Sequence, residues 1–254
     1  NVESHVERLQ DLDLFHVSGN TDPKGDRSRP PQEQDPDMLL HIVDETDKGI
    51  IVTGAKYETA ACYANQGFVK PTIAQWGEEL KDYAVGFITP MNAPGLKLIC
   101  RTGFGVGKDP KDYPISTRFD EIDTLLIFDN VLIPWENVLF AKVPEAAAYI
   151  RGTLHRYVVF PFVLRTLFRA DMMLGAAFLN VEQTGLQNVP QVREKLTALM
   201  CYRETINAHL QAAIHTAEPS PGGLCMPNQS IIYAGRIYGS SNLPAMIAIV
   251  RELA

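Results

Sequence analysis

Two stretches decide how this chain is read. One is Gly54-Ala55-Lys56-Tyr57-Glu58-Thr59-Ala60-Ala61-Cys62-Tyr63-Ala64-Asn65. The other is Arg118-Phe119-Asp120-Glu121, followed by Phe128-Asp129-Asn130-Val131-Leu132-Ile133-Pro134-Trp135-Glu136-Asn137-Val138. They bracket a region of short β-prone segments broken by Gly and Pro, and after Pro-Trp-Glu-Asn the breakers thin out. Working outward, Met38-Leu39-Leu40-His41-Ile42-Val43 and Ile50-Ile51-Val52 flank an acidic turn, which is a hairpin pattern. Residues 67–69, 83–88, 96–100 and 125–128 are further strand candidates, and several short strands at close spacing predict a sandwich or barrel.

Downstream, residues 146–180 contain few breakers, and 192–217 carry Leu196, Leu199, Met200, Ile206, Leu210 and Ile214 at helical spacing. Residues 243–253 read as the start of another helix. The linkers 183–190 and 218–228 are rich in Gly, Pro or Asn, so antiparallel helices in a bundle are expected. Upstream, Val2, Val6 and Leu9 read as the tail of a helix, and 14–31 is a loop by its turn chemistry. The expected fold class is α+β. Residues 1–13 would end a helical domain, 14–142 form a middle β-sandwich or barrel domain, and 143–254 form part of a C-terminal helix bundle.

With 254 residues and 46% hydrophobic content, two domains can each bury a core. A net charge of −7 argues against a nucleic-acid partner and against an anionic membrane surface. No apolar run reaches the ~18 residues of a membrane helix. Cys62, Cys100, Cys201 and Cys225 lie far apart with no C-x-x-C pair, which indicates neither a zinc site nor a disulfide framework and fits a reducing cytoplasm. The chain opens at Asn1 and stops within a helical pattern at Arg251-Glu252-Leu253-Ala254, so an internal piece of a longer protein is expected.

The layout of the two bracketing stretches resembles the middle and third domains of the acyl-CoA dehydrogenase superfold. Their wording is similar to its aromatic-hydroxylating branch, the large-component family of 4-hydroxyphenylacetate 3-monooxygenases, over nearly the whole chain. The resemblance implies a two-component enzyme: a separate flavin reductase supplies reduced FAD, and O2 and a para-substituted phenol give ortho hydroxylation. A homo-oligomer, dimer or tetramer, is implied too. In that family an arginine and a tyrosine from an upstream helical domain hold the phenol.

Six residues are singled out. His16 precedes the loop Ser18-Gly19-Asn20-Thr21-Asp22-Pro23-Lys24-Gly25-Asp26-Arg27-Ser28-Arg29-Pro30. Read from residues alone, this is a strand-end histidine beside a basic loop, able to be structural or to bind an anion. The resemblance makes His16 the residue touching both phenol and flavin, as general base or acceptor for the phenolic hydroxyl. It makes the loop, with Lys24, Asp26 and Arg27, a flavin lining. Thr59, with Ala60 the alternative register, is implied to lie against the flavin ring; its bland reading is a strand-closing residue. Thr72, in a stretch running to Gln75, is implied to face the phenol, and Trp76 reads equally as a core anchor.

Other motifs carry less. Gly103-Phe104-Gly105-Val106-Gly107-Lys108 lacks phosphate-loop spacing and a following helix, so it reads as a surface loop. Asp44-Glu45-Asp47 and Asp120-Glu121-Asp123 read as solvated charge rather than paired catalytic acids. His155 sits where related 4-hydroxybutyryl-CoA dehydratases bind an iron–sulfur cluster, but the thiolate seven residues later is Phe162 here. His209 and His215 fall on different helix faces, so no metal pair is expected, and Arg203, Arg236 and Arg251 are left undecided. An acyl-CoA dehydrogenase, another phenol monooxygenase and a flavin-free scaffold are the alternative functions.

Overall fold

A computed structural model describes residues 2–26, 28–73 and 76–254. They form two units, Asn1–Tyr149 and Ile150–Ala254. The first holds helix α1 (Val2–Asp11) and strands β1 (His16–Gly19), β2 (His41–Thr46), β3 (Gly49–Thr59), β4 (Gln66–Val69), β5 (Val85–Pro90), β6 (Leu96–Cys100), β7 (Asp123–Pro134) and β8 (Val138–Ala141). Helix α2 (Pro144–Gln183) starts at its end. The second unit continues with α3 (Pro190–His215), the two-residue strands β9 (Glu218–Pro219) and β10 (Cys225–Met226), and α4 (Gln229–Leu253).

The β strands make two four-stranded sheets, ordered β1-β4-β5-β8 and β2-β3-β7-β6. β2 and β3 form the expected hairpin, with Thr46 paired to Gly49. β3 and β7 pair antiparallel along most of their length, Ile50 opposite Ile133 and Thr59 opposite Asp123. Alternation along β3 turns Ile50 and Val52 inward, where they meet Leu126, Phe128, Val131 and Ile133 of β7 and Val17, Val69, Val85 and Phe87 of the other sheet. One apolar core between two sheets is a sandwich, one of the two forms, sandwich or barrel, that the strand spacing predicts. Phe87 and Phe128 meet edge to face within it, centroids 5.9 Å apart.

β1 is the exception to antiparallel pairing. It runs parallel to β4, with His16 opposite Gln66 and Gly19 opposite Val69, so the chain leaves both strands at the same end. That topology places the loop after β1 beside the segment after β4. At Gly54, where β3 bulges, φ is +124° and a Cβ would lie 2.4 Å from the Leu39 carbonyl oxygen. Only glycine lets the 38–40 backbone cross there.

In the second unit Val159, Val163, Leu167 and Ala170 of α2, Tyr202, Ile206, Leu210 and Ala213 of α3, and Ile232 of α4 share a core. The Tyr202 hydroxyl donates to the Gly239 carbonyl at 2.6 Å. Helix α4 begins at Gln229 rather than near Leu243. The added turns include Gly235, where a Cβ would sit 2.8 Å from His209 Cβ, so this glycine permits close packing of α3 on α4. Packing outweighs the ~1 kcal/mol helix cost of a glycine. Among the described residues no helix is long and apolar enough to cross a membrane.

Candidate functional site

The inward row of β3 runs Ile50, Val52, Gly54 and then Lys56, which is only 1% exposed. A lysine in a core slot requires a partner, because an unpaired buried ammonium is very costly. Lys56 has two. Its Nζ is ion-paired to Asp22 Oδ1, in the loop leaving β1, and donates to the Lys70 carbonyl at 2.8 Å, just past β4. The second Asp22 oxygen accepts from the Thr72 amide at 3.0 Å and the Thr72 hydroxyl at 2.5 Å. Burial pulls the Lys56 pKa down while Asp22 opposes that shift.

Above this pair lies a cavity of about 310 Å³ lined by the 21–26 loop, Gln34, Met38, Leu39 and Thr72. It gathers Lys24, Asp26 and Thr72 of the six expected residues; His16 and Thr59 do not line it. A larger cavity of about 570 Å³ between α2 and α3 gathers none of them. Asp26 spends its carboxylate on the loop itself. It accepts from the Ser28 amide at 2.9 Å and hydroxyl at 2.6 Å, which lowers its pKa, and it pairs with Arg29 at 3.4 Å. Among the described residues, Lys24 is thus the cation of the lining, and Asp22 is neutralised by Lys56. A flavin edge or diphosphate fits such a lining. Arg27, and Ala74 and Gln75 of the stretch after Thr72, lie outside the described residues.

His16, half-buried at the start of β1, has its pKa lowered by desolvation and then by His5. The shift favours the neutral imidazole. The Gln66 amide N–H faces its Nδ1 at 3.4 Å, which leaves the imidazole proton on Nε2 as a donor. Half a turn of that amide exchanges the tautomers and makes Nε2 the acceptor that proton abstraction requires. In the other sheet, Glu58 follows Lys56 in the same inward row of β3. It receives the backbone amides of Asn20 and Ser18, yet burial pushes its pKa up to about 7. The sequence reading passed over both Lys56 and Glu58. The available signal was charge at alternate positions of an otherwise apolar row.

Thr59 closes β3 and donates its hydroxyl to Asp123 Oδ1 at 2.8 Å. With its proton committed, it offers lone pairs to any ring N–H brought against it. Ala60 takes a left-handed conformation, φ +67°, at the strand's end. The sequence pattern reads Asp120 and Asp123 as solvated charge, but both are paired. Arg101 binds Asp120 at 2.7 Å and Asp123 at 3.0 Å, holding both carboxyls below their ordinary range. The reason lies in pairing: β6 runs beside β7, so Arg101 just past β6 meets the approach to β7.

Trp76 packs against Leu39, Leu80 and Tyr83 as a core anchor. In the helical unit, His155 Nε2 accepts from Arg236 at 3.2 Å and Nδ1 faces the Tyr233 hydroxyl. The Arg236 guanidinium lies 5.2 Å over Phe162. Among the described residues no three His, Cys, Asp or Glu side chains are placed to hold a metal ion.

Two family profiles match this chain nearly end to end: "4-hydroxyphenylacetate 3-hydroxylase N terminal" over residues 1–140 and "4-hydroxyphenylacetate 3-hydroxylase C terminal" over 145–254. The chain belongs to the 4-hydroxyphenylacetate 3-hydroxylase family. The 4-hydroxyphenylacetate 3-monooxygenase oxygenase component of Thermus thermophilus is 33% identical over all of this chain and 52% of its own length. The chain thus spans about half the length of the family members it matches. The solved oxygenase component of 4-hydroxyphenylacetate 3-monooxygenase complexed with FAD superposes with a TM-score of 0.87 at 31% identity, over 99% of this chain and 52% of that one. A 4-hydroxybutyryl-CoA dehydratase from N. maritimus superposes at 0.91 with 26% identity, over 99% and 51%. The wider fold, that of acyl-CoA dehydrogenases, extends to a glutaryl-CoA dehydrogenase of Mycobacterium smegmatis at 17% identity and a TM-score of 0.63. The α+β expectation, strands first and helices after, is met in this family's fold.

Proposed function

We propose that this chain supplies the cofactor-facing part of a two-component, FAD-dependent monooxygenase that hydroxylates a para-substituted phenol of the 4-hydroxyphenylacetate kind beside its hydroxyl. The observation that carries the reading is the cavity under the 21–26 loop, where Lys24 offers a cation and Asp22 is neutralised by Lys56. That arrangement occurs in a chain whose family hydroxylates such phenols. Reduced FAD, delivered by a separate reductase, would supply the two electrons that turn O2 into an oxidant for the ring.

The residues divide the remaining tasks. Lys24 and the loop bind the flavin, and Asp26 shapes that loop. Thr59, its proton held by Asp123, accepts a hydrogen bond from the flavin ring. His16 meets the phenol oxygen: as Nε2 donor it stabilises an ionised phenol, and in the other tautomer it takes the proton. Thr72 faces the ring substituents. Domain limits at 14–142 and 143–254, a cytoplasmic location and a homo-oligomer complete the proposal. The oligomer is supported by Phe168, Met172 and Leu179, exposed by 55–62% along one side of α2.

The test is to express the complete reading frame containing this chain and supply reduced FAD, O2 and 4-hydroxyphenylacetate. Catechol is the expected product. The dehydratase likeness supports a second reading, so 4-hydroxybutyryl-CoA is offered in parallel; turnover of the thioester with no catechol rejects the hydroxylase assignment.

A further inference from the structure

The buried lysine does more than satisfy a core slot. Because β1 and β4 are parallel, their exits lie side by side, and the Lys56 ammonium reaches into both: Asp22 after β1 and the Lys70 carbonyl after β4. Asp22 closes the loop by binding the amide and hydroxyl of Thr72, two residues beyond Lys70. The Gly19 carbonyl accepts from the Lys70 amide at 3.3 Å, so the two exits are already in register where the charge takes over. We infer that Lys56 and Asp22 are positioning residues, one buried ion pair that sets the 21–26 loop and Thr72 relative to each other as two walls of one cavity.

A well-packed apolar pair could fill this place at little or no loss of stability, because burying charge costs about as much as the pairing returns. An apolar pair would not aim a carboxylate at two donors of a neighbouring segment. Asp22 is suited to it through having two acceptor oxygens, one for Lys56 and one for Thr72. Asparagine has a single acceptor oxygen and cannot serve both. The inference rests on the proposed reading only in taking Thr72 as a wall that the phenol meets.

The experiment compares Asp22→Asn and the double variant Lys56→Met/Asp22→Leu, which leaves Thr72 no acceptor, with the parent protein. The double variant removes the unpaired buried ammonium that would endanger folding. Amide hydrogen exchange should accelerate at least about tenfold in both 20–24 and 70–73, the loss expected for charge-assisted hydrogen bonds, while amides of β7 keep their protection. KM for 4-hydroxyphenylacetate should rise about tenfold with kcat changed less than about threefold. Loosening of one segment alone, or an unmoved exchange pattern, overturns the inference. So does faster exchange with an unchanged KM. If the parent turns over no phenol, the hydroxylase reading fails by itself, and the exchange pattern still decides whether this pair holds the two segments.

Discussion

At the scale of single residues, the site is a set of side chains held by their neighbours. Thr59 and Thr72 have given their protons to carboxylates, and His16, whose pKa burial lowers, meets Gln66 at Nδ1 and leaves Nε2 for the phenol. Replacing His16 with alanine should therefore uncouple the reaction before it weakens flavin binding. At saturating reduced FAD, catechol formed per O2 consumed should fall by one to two orders of magnitude, within the ~10²–10⁴-fold range of acid–base contributions, with hydrogen peroxide making up the difference. Unchanged coupling would remove His16 from the catalytic set. Glu58 leads to a pH prediction. Its folded pKa, about 7, lies above its ordinary 4.5, so between those values the folded state holds a proton that the unfolded state has lost. Glu58 thus makes stability fall as pH rises from 4.5 to 7, a slope of the sign opposite to that of an ion-paired carboxylate. Glu58→Gln should flatten that part of the profile, read as the difference in urea midpoint between parent and variant at pH 5 and pH 8. A difference that does not vary with pH would show that Glu58 does not titrate there.

At the scale of elements, glycines and caps decide where chain segments can meet. Gly54→Ala would need a Cβ at φ +124° beside the Leu39 carbonyl, so the β unit should lose roughly 2–3 kcal/mol. Both tryptophans of this chain, Trp76 and Trp135, belong to that unit, so a fluorescence-detected denaturation curve reports it. An unchanged midpoint would mean that the 38–40 crossing moves aside. Helix α4 is capped by Asn228, whose side chain accepts from the Ile231 amide at 3.2 Å and also donates to Glu218 at 2.8 Å. Asn228→Ala should cost about 1 kcal/mol in the helical unit, followed by far-UV circular dichroism. Most strands were legible because alternation and turn residues are local signals. The early start of α4 was not, since Gly235 is tolerated only because His209 packs against it.

At the scale of the whole molecule, the same fold serves a phenol hydroxylase and a CoA-thioester dehydratase, so fold alone does not choose the chemistry. The choice rests on donors. Phe162 stands where the dehydratase reading needs a thiolate, and Arg236 lies over its ring. Protein purified without oxygen should accordingly contain far less than one iron–sulfur cluster per chain by iron analysis; stoichiometric iron would reopen the dehydratase reading. The sequence by itself determined the order of elements, strands to about Phe140 and helices from about Ala146, because hydrophobic period and turn chemistry are written residue by residue. Family wording pointed to His16, Lys24, Thr59 and Thr72. Only the tertiary structure decided what those residues touch. Parallel pairing of β1 with β4 brings together segments about fifty residues apart, and β3, which lies between them in sequence but belongs to the other sheet, reaches in with Lys56. A buried charge has to find its partner across the fold, and no local pattern records which partner that will be.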